Sequence, residues 1–224
     1  MHYKAIIFDM DGTIIDTEHI WHQATANLIA RRGISLAPEE FAQLQAKLSG
    51  KGTLDCCLII KQELNLLDEA AALAHEKTII ANELYAKGIK FIAGFEEFHA
   101  KVVSHNLKIG LATNANDHTL SITQKTLNLD VFFGVHMYNI SHVNNVYKPN
   151  PAVYLHAAKQ LGVDPEYCIA IEDSPSGIKA AKDAGMFCIG INTSKQPERL
   201  SESHHIINHY DELDLSNLLR RKKG

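Results

Sequence analysis

This 224-residue sequence predicts an α/β fold, a doubly wound parallel sheet with an all-helical insertion after its first strand. Three observations carry the prediction. The chain opens on a short apolar run, Ala5-Ile6-Ile7-Phe8, that stops at Asp9 and a glycine turn, as a buried strand does. From about residue 16 to residue 88 the apolar residues recur only at helical spacing. From Ile89 onward strand and helix patterns alternate, which requires parallel strands covered by helices on both faces, a Rossmann-like arrangement. With 46% hydrophobic residues the chain can bury a sizeable core, as one large domain or two unequal ones. The pattern divides it into an α/β core, 1–15 and 89–224, and a helical region, 16–88.

In the helical region Trp21, Ala24, Leu28 and Ile29 share one face of a first helix, and 70–85 forms a long second candidate. The later strands are expected at 108–113, 131–137, 168–172, 188–191 and 205–207, with helices between them. Pro151 and Pro175 suit first helical positions, where a missing N–H is harmless and neighbouring N–H groups can face an anion. Gly162 and Gly185 suit the closing positions of the same helices.

The chemistry begins at the end of the first strand, in Phe8-Asp9-Met10-Asp11-Gly12-Thr13. An aspartate ending an apolar strand must find a cation, a proton or several N–H donors to offset its lost hydration. Asp9 and Asp11 alternate about the strand end, so one can attack a substrate while the other handles the leaving group. Taken alone, Asp11-Gly12-Thr13 also reads as a plain turn, because Asp-Gly is a common turn dipeptide. In open parallel sheets, however, ligands sit at the carboxyl ends of the strands. Asp9, Asp11, Thr113, Asn114, Glu172 and Asp173 all fall at such ends, so residues distant in sequence converge on one crevice.

Four motifs occur in order: Asp9 to Thr13, Thr113-Asn114, Lys148-Pro149-Asn150-Pro151 and Glu172-Asp173-Ser174-Pro175-Ser176-Gly177. With them the sequence resembles, over nearly its whole length, the haloacid dehalogenase-like hydrolase superfamily. Within it the chain is similar to the branch of β-phosphoglucomutase and small sugar-phosphate phosphatases. The resemblance implies that the helical insertion caps the active site. It further implies that Asp9 is the nucleophile, that Asp11 is general acid and base, and that Lys148 is a fixed charge on the phosphoryl group. Thr113, Asn114 and the turn around Gly12 would bind its oxygens. Magnesium would be held by Asp9, the Asp11 carbonyl and Asp173, with Glu172 close by. An aspartate at the Asp11 position favours phosphate esters over the family's dehalogenase and phosphonatase reactions.

The mutase pattern has an arginine where this chain has Thr53 and a histidine where it has Trp21. An arginine can grip a second phosphate bidentately and a threonine cannot. The expected function is therefore a magnesium-dependent phosphatase of a small phosphorylated metabolite, with a phosphosugar mutase as the enzymatic alternative and an inactive binding module as the third reading. Thr53, Trp21 and Lys77 are the expected substrate contacts of the helical region.

A net charge of -4 gives no electrostatic case for nucleic acid. The basic run Arg220-Arg221-Lys222-Lys223 reads as a solvated tail. Nothing approaches the roughly 20 apolar residues that span a bilayer, and the first apolar run is too short for a signal peptide. Cys56, Cys57, Cys168 and Cys188 lack metal or disulfide spacing, which suits a reducing cytoplasm. Among 13 histidines, His204, His205 and His209 flank a strand without supporting ligands and read as surface side chains. Gly50-Lys51-Gly52-Thr53 follows no strand and lacks a full phosphate-loop pattern.

Overall fold

A computed structural model of the chain describes residues 3–48 and 51–220. Gly50 of the Gly50-Lys51-Gly52-Thr53 stretch, and Arg221, Lys222 and Lys223 of the basic run, lie outside the described residues. Two compact units are formed, one from residues 1–16 and 89–224, the other from 17–88.

The first unit is built on β1 (Ala5–Phe8). The second holds α1 (Glu18–Ala30), α2 (Pro38–Leu48), α3 (Thr53–Glu63) and α4 (Ala70–Lys87). The first unit then continues through α5 (Phe95–Ser104), β2 (Lys108–Ala112), α6 (Asp117–Leu127), α7 (Asp130–Phe133), β3 (Met137–Tyr138) and α8 (Ala152–Leu161). It ends with β4 (Cys168–Glu172), α9 (Pro175–Asp183), β5 (Phe187–Ile191), β6 (His205–Ile207) and α10 (Leu215–Arg220).

The six strands lie in the order β3-β2-β1-β4-β5-β6, and every pairing is parallel. β1 is central, with Phe8 in register with Leu111 on one side and Ile171 on the other. The strands are buried on both faces, so they read as continuous apolar runs. On one face Ala5, Ile7, Ala170 and Cys188 pack with α8 and α9 through Val153, Tyr154, Ile178 and Ala181. On the other, Phe8 meets the edges of Phe95, Phe98 and Phe133 at 5.6, 6.2 and 6.0 Å between ring centroids. This is the doubly wound α/β sheet that the alternating pattern predicts.

One expected strand is not there. Residues 131–137 do not run as a strand: 130–133 are α7, which Gly134 ends at φ 54°, and β3 begins only at Met137. The apolar run misled because Val131 and Val135 are exposed while Phe132 and Phe133 both pack toward Phe95. Pro175 is at the first position of α9, as its sequence setting implies, whereas Pro151 precedes α8 as its cap residue. Asn150 Oδ1 accepts the first N–H of α8, from Ala152, at 3.0 Å.

In the helical unit α1 and α4 pack through Ala24, Leu28 and Ile29 against a buried stripe that includes Leu73, Ile80 and Tyr85. Arg32 fastens the loop before α4 and α4 itself, reaching Asp68 at 2.7 Å and Glu76 at 2.8 Å. Among the described residues no helix is long and apolar enough to cross a membrane.

Candidate active site

Parallel register brings the ends of β1, β2 and β4 level, so the residues that follow them share one place. Asp9 extends β1 by donating its N–H to Ile171 O at 3.0 Å. Glu172 is the last residue of β4, and Thr113 follows β2 with its N–H on Tyr138 O. Lys148, from the loop before α8, threads into the gap between these ends and is 7% exposed.

Lys148 Nζ organises the cluster. It donates to Asp9 Oδ1 at 2.6 Å, to Glu172 Oε1 at 2.7 Å and to Ala112 O at 2.8 Å. Its backbone N–H is fixed by Asn114 Oδ1 at 2.9 Å, which ties the Lys148 loop to the end of β2. Burial opposes the Lys148 charge, but Asp9 and Glu172 more than offset it and hold the ammonium above the ordinary lysine range. For Asp9, burial and the nearby Glu172 outweigh Lys148 and push the carboxyl up to about 7. Burial also raises Asp173, with repulsion from Asp9 and Glu172 adding to it.

Asp9, Glu172 and Asp173 each offer a carboxylate oxygen within 4.8 Å of the others. Among the described residues, the Lys148 ammonium pairs with Asp9 and Glu172 while the Asp173 carboxylate lies close to both, so negative charge is in excess there. An all-oxygen, acid-rich set without Cys or His fits a hard dication such as magnesium and not a thiophilic metal. Glu172 contributes differently from the two aspartates. Its Oε1 accepts from Lys148 and from the Tyr154 hydroxyl at 2.8 Å, and its Oε2 accepts from Ser174 Oγ and the N–H groups of Asp173 and Ser174 at 3.1–3.3 Å. Both oxygens are already occupied by protein donors.

The turn after Asp9 is held from behind. Thr193 Oγ1 donates to Gly12 O at 2.7 Å and Tyr210 OH to Thr13 O at 2.9 Å. Gly12 has φ 78°, and a Cβ there would collide with the Asp173 carboxylate. Its N–H donates to Ile15 O at 2.9 Å. Asp11, in the same turn, is half-buried. Thr113 Oγ1 accepts the Ala115 N–H at 3.0 Å, leaving its own proton to donate.

The expected contacts of the helical unit are arranged among themselves. Lys77 is buried, 3% exposed, with Nζ 5.7 Å from the centre of the Trp21 ring, and Trp21 lies edge-on to Tyr85. A helical lysine is usually solvated, but here burial pulls its pKa below the ordinary value. Thr53 is the first residue of α3 and half-buried. Of the three histidines, His204 and His209 are exposed and His205 half-buried; His204 Nδ1 accepts the Cys188 N–H at 2.9 Å. The sequence reading missed Tyr154, Thr193 and Tyr210, and quoted Ser174 within its fourth motif without giving it a role. As a serine before proline, Ser174 has the pattern of a helix cap, and its Oγ accepts the Gly177 N–H at the start of α9.

Residues 3–185 match the family of haloacid dehalogenase-like hydrolases. The chain is 27% identical over 183 residues to the phosphorylated carbohydrates phosphatase of Thermotoga maritima, covering 82% of each chain. It is 30% identical over 192 residues to the β-phosphoglucomutase of Bacillus subtilis, covering 84% of this chain and 83% of that one. Among solved structures, a family IA hydrolase of Entamoeba histolytica superposes with a TM-score of 0.81 at 25% identity, covering 97% of this chain and all of the other.

Proposed function

Since the chain belongs to the haloacid dehalogenase-like hydrolases, we propose that it is a magnesium-dependent phosphatase that hydrolyses a small sugar phosphate through an aspartyl phosphate. The carrying observation is Asp9 Oδ1 held at 2.6 Å by the Lys148 ammonium, beside carboxylates in excess of the cations available.

Asp9 attacks phosphorus, its oxygen forming the new P–O bond as the ester P–O bond breaks. Asp11 gives its proton to the departing alkoxide, then takes one from the water that attacks the aspartyl phosphate and releases inorganic phosphate. Lys148 neutralises the approach of carboxylate to phosphoryl group, and the Thr113 hydroxyl and the Asn114 N–H donate to its oxygens. Asp9, Asp173 and the Asp11 carbonyl would hold magnesium, which when bound screens the charge between nucleophile and substrate. Glu172 keeps its protein donors and positions Lys148. Trp21, Thr53 and Lys77 of the helical unit, the cap in this reading, select the remainder of the substrate. The cytoplasm is the compartment that four free, buried cysteines suit.

The relationship to a β-phosphoglucomutase supports the mutase alternative, but Thr53 lacks the charge to hold a second phosphate. The test is incubation with β-glucose 1-phosphate, glucose 1,6-bisphosphate and magnesium, following phosphate release and glucose 6-phosphate together. Phosphate release outpacing any interconversion is the expected result. Interconversion of the monophosphates faster than phosphate release would overturn the phosphatase reading.

A further inference from the structure

We infer that Tyr154 is a positioning residue for the phosphoryl-transfer step, its hydroxyl setting how Glu172 and Asp9 share the Lys148 ammonium. The inference rests on the phosphatase reading and adds a residue to it. Tyr154 lies in α8, is fully buried, and brings its ring beneath Lys148, with Nζ 4.7 Å from the ring centre. Its hydroxyl is 2.8 Å from Glu172 Oε1 and 3.3 Å from Lys148 Nζ.

An ammonium has three protons. Asp9, Glu172 and Ala112 take them in the three shortest contacts, at 2.6–2.8 Å, so Tyr154 is the weakest acceptor around Lys148. Lys148 has no lone pair to offer, so the Tyr154 proton goes to Glu172 Oε1. That oxygen therefore divides its negative charge between a hydroxyl and the ammonium. The division matters because Glu172 and Asp9 compete for one cation. Without the hydroxyl, Oε1 would turn wholly to Lys148 and draw the ammonium toward β4, away from Asp9 and from the phosphoryl group it must meet. The ring adds a floor, since the electron-rich face keeps Nζ from retreating toward α8.

Tyr154→Phe keeps the ring and removes one oxygen, so it isolates the hydroxyl. Single-turnover measurements with magnesium on p-nitrophenyl phosphate and on phenyl phosphate give the rate constant of phosphoenzyme formation, which does not depend on the fraction of folded enzyme. A hydrogen bond to a charged group lost at the transition state lowers that constant about tenfold. The loss is expected to be equal for both esters, since Lys148 acts on the phosphoryl group and not on the leaving oxygen, with KM within about twofold of wild type. A variant rate constant within about twofold of wild type overturns the inference, and so does a loss confined to phenyl phosphate. Wild-type protein inactive on every phosphate ester would instead sink the phosphatase reading, and this inference with it.

Discussion

The Lys148 cluster and the Arg32 cluster are made of the same groups, basic side chains bridging pairs of carboxylates, in different surroundings. Lys148 and Glu172 have side chains 3% and 0% exposed, whereas Arg32, Asp68 and Glu76 are 17%, 36% and 29% exposed. Water screens the second set, so its members stay charged at little cost and fasten helices together. The first set is dry: Asp9 and Glu172 more than offset the hydration that Lys148 loses, but the lysine only partly restores what Asp9 loses. Burial pushes Asp9 up to about 7, while the hydrogen bond from Arg32 holds Glu76 below the ordinary carboxylate range. A fold gains stability from the half-exposed kind. It tolerates the dry kind where reactivity is needed.

Removing the nucleophile tests that contrast hardest. Asp9→Asn should lower turnover by at least about 10⁴-fold, because an amide of the same shape cannot attack phosphorus. The same change relieves a buried excess of negative charge. For an acid whose folded pKa lies above its ordinary 3.8, ionisation costs stability progressively as pH rises through the folded value. Urea denaturation of the metal-free variant at about pH 8 should therefore show stability equal to or above wild type. A marked fall would mean that the dry cluster holds the fold together and that the contrast is wrong.

Gly177→Ala probes the same cluster through packing. A Cβ at Gly177 would collide with all three heavy atoms of the Glu172 carboxylate group, which lies against the start of α9. Glu172 must move and leave Lys148 and Tyr154, or α9 must shift, at a cost of about 3 kcal/mol in the urea unfolding free energy. Turnover should fall with it. Near-native stability in this variant would show that the wall around Glu172 is soft.

These residues were not equally visible in the sequence. Asp9, Asp11, Glu172 and Asp173 stood out because carboxylates at the ends of apolar runs have few packing uses, and Lys148 through the motif that carries the family resemblance. Tyr154 was hidden, since it shares a buried face with Val153, Ala157 and Leu161, which its ring explains without the hydroxyl. Thr193 and Tyr210 hold the carbonyls of residues 181 and 197 positions earlier, and no local spacing carries such a contact. The burial of Lys77 left no trace, because helical periodicity reports a face and not what covers it. The order of motifs outlined the sheet and most of its strands, but the run 131–137 failed where aromatic packing of Phe133 decided the local structure.

The smallest effect belongs to the half-exposed cluster and gives the contrast its opposite sign. Arg32→Met keeps much of the apolar stem and removes the fork that reaches Asp68 and Glu76. It should cost at most about 1 kcal/mol near neutral pH, most of which disappears in about 1 M salt. The pH dependence follows from Glu76, whose pKa is lowered from 4.5 chiefly by its hydrogen bond with Arg32. A lowered folded pKa contributes stability that is present above the ordinary value and lost as pH falls through the folded one. The difference between wild type and Arg32→Met should thus be full at about pH 7 and shrink on acidification below about pH 4.5, whereas the burden of the Asp9 charge grows as pH rises. Urea titrations of both proteins at several pH values read this directly. A difference that stays constant with pH and salt would place Arg32 in the same electrostatic regime as Lys148 and remove the distinction between the two clusters.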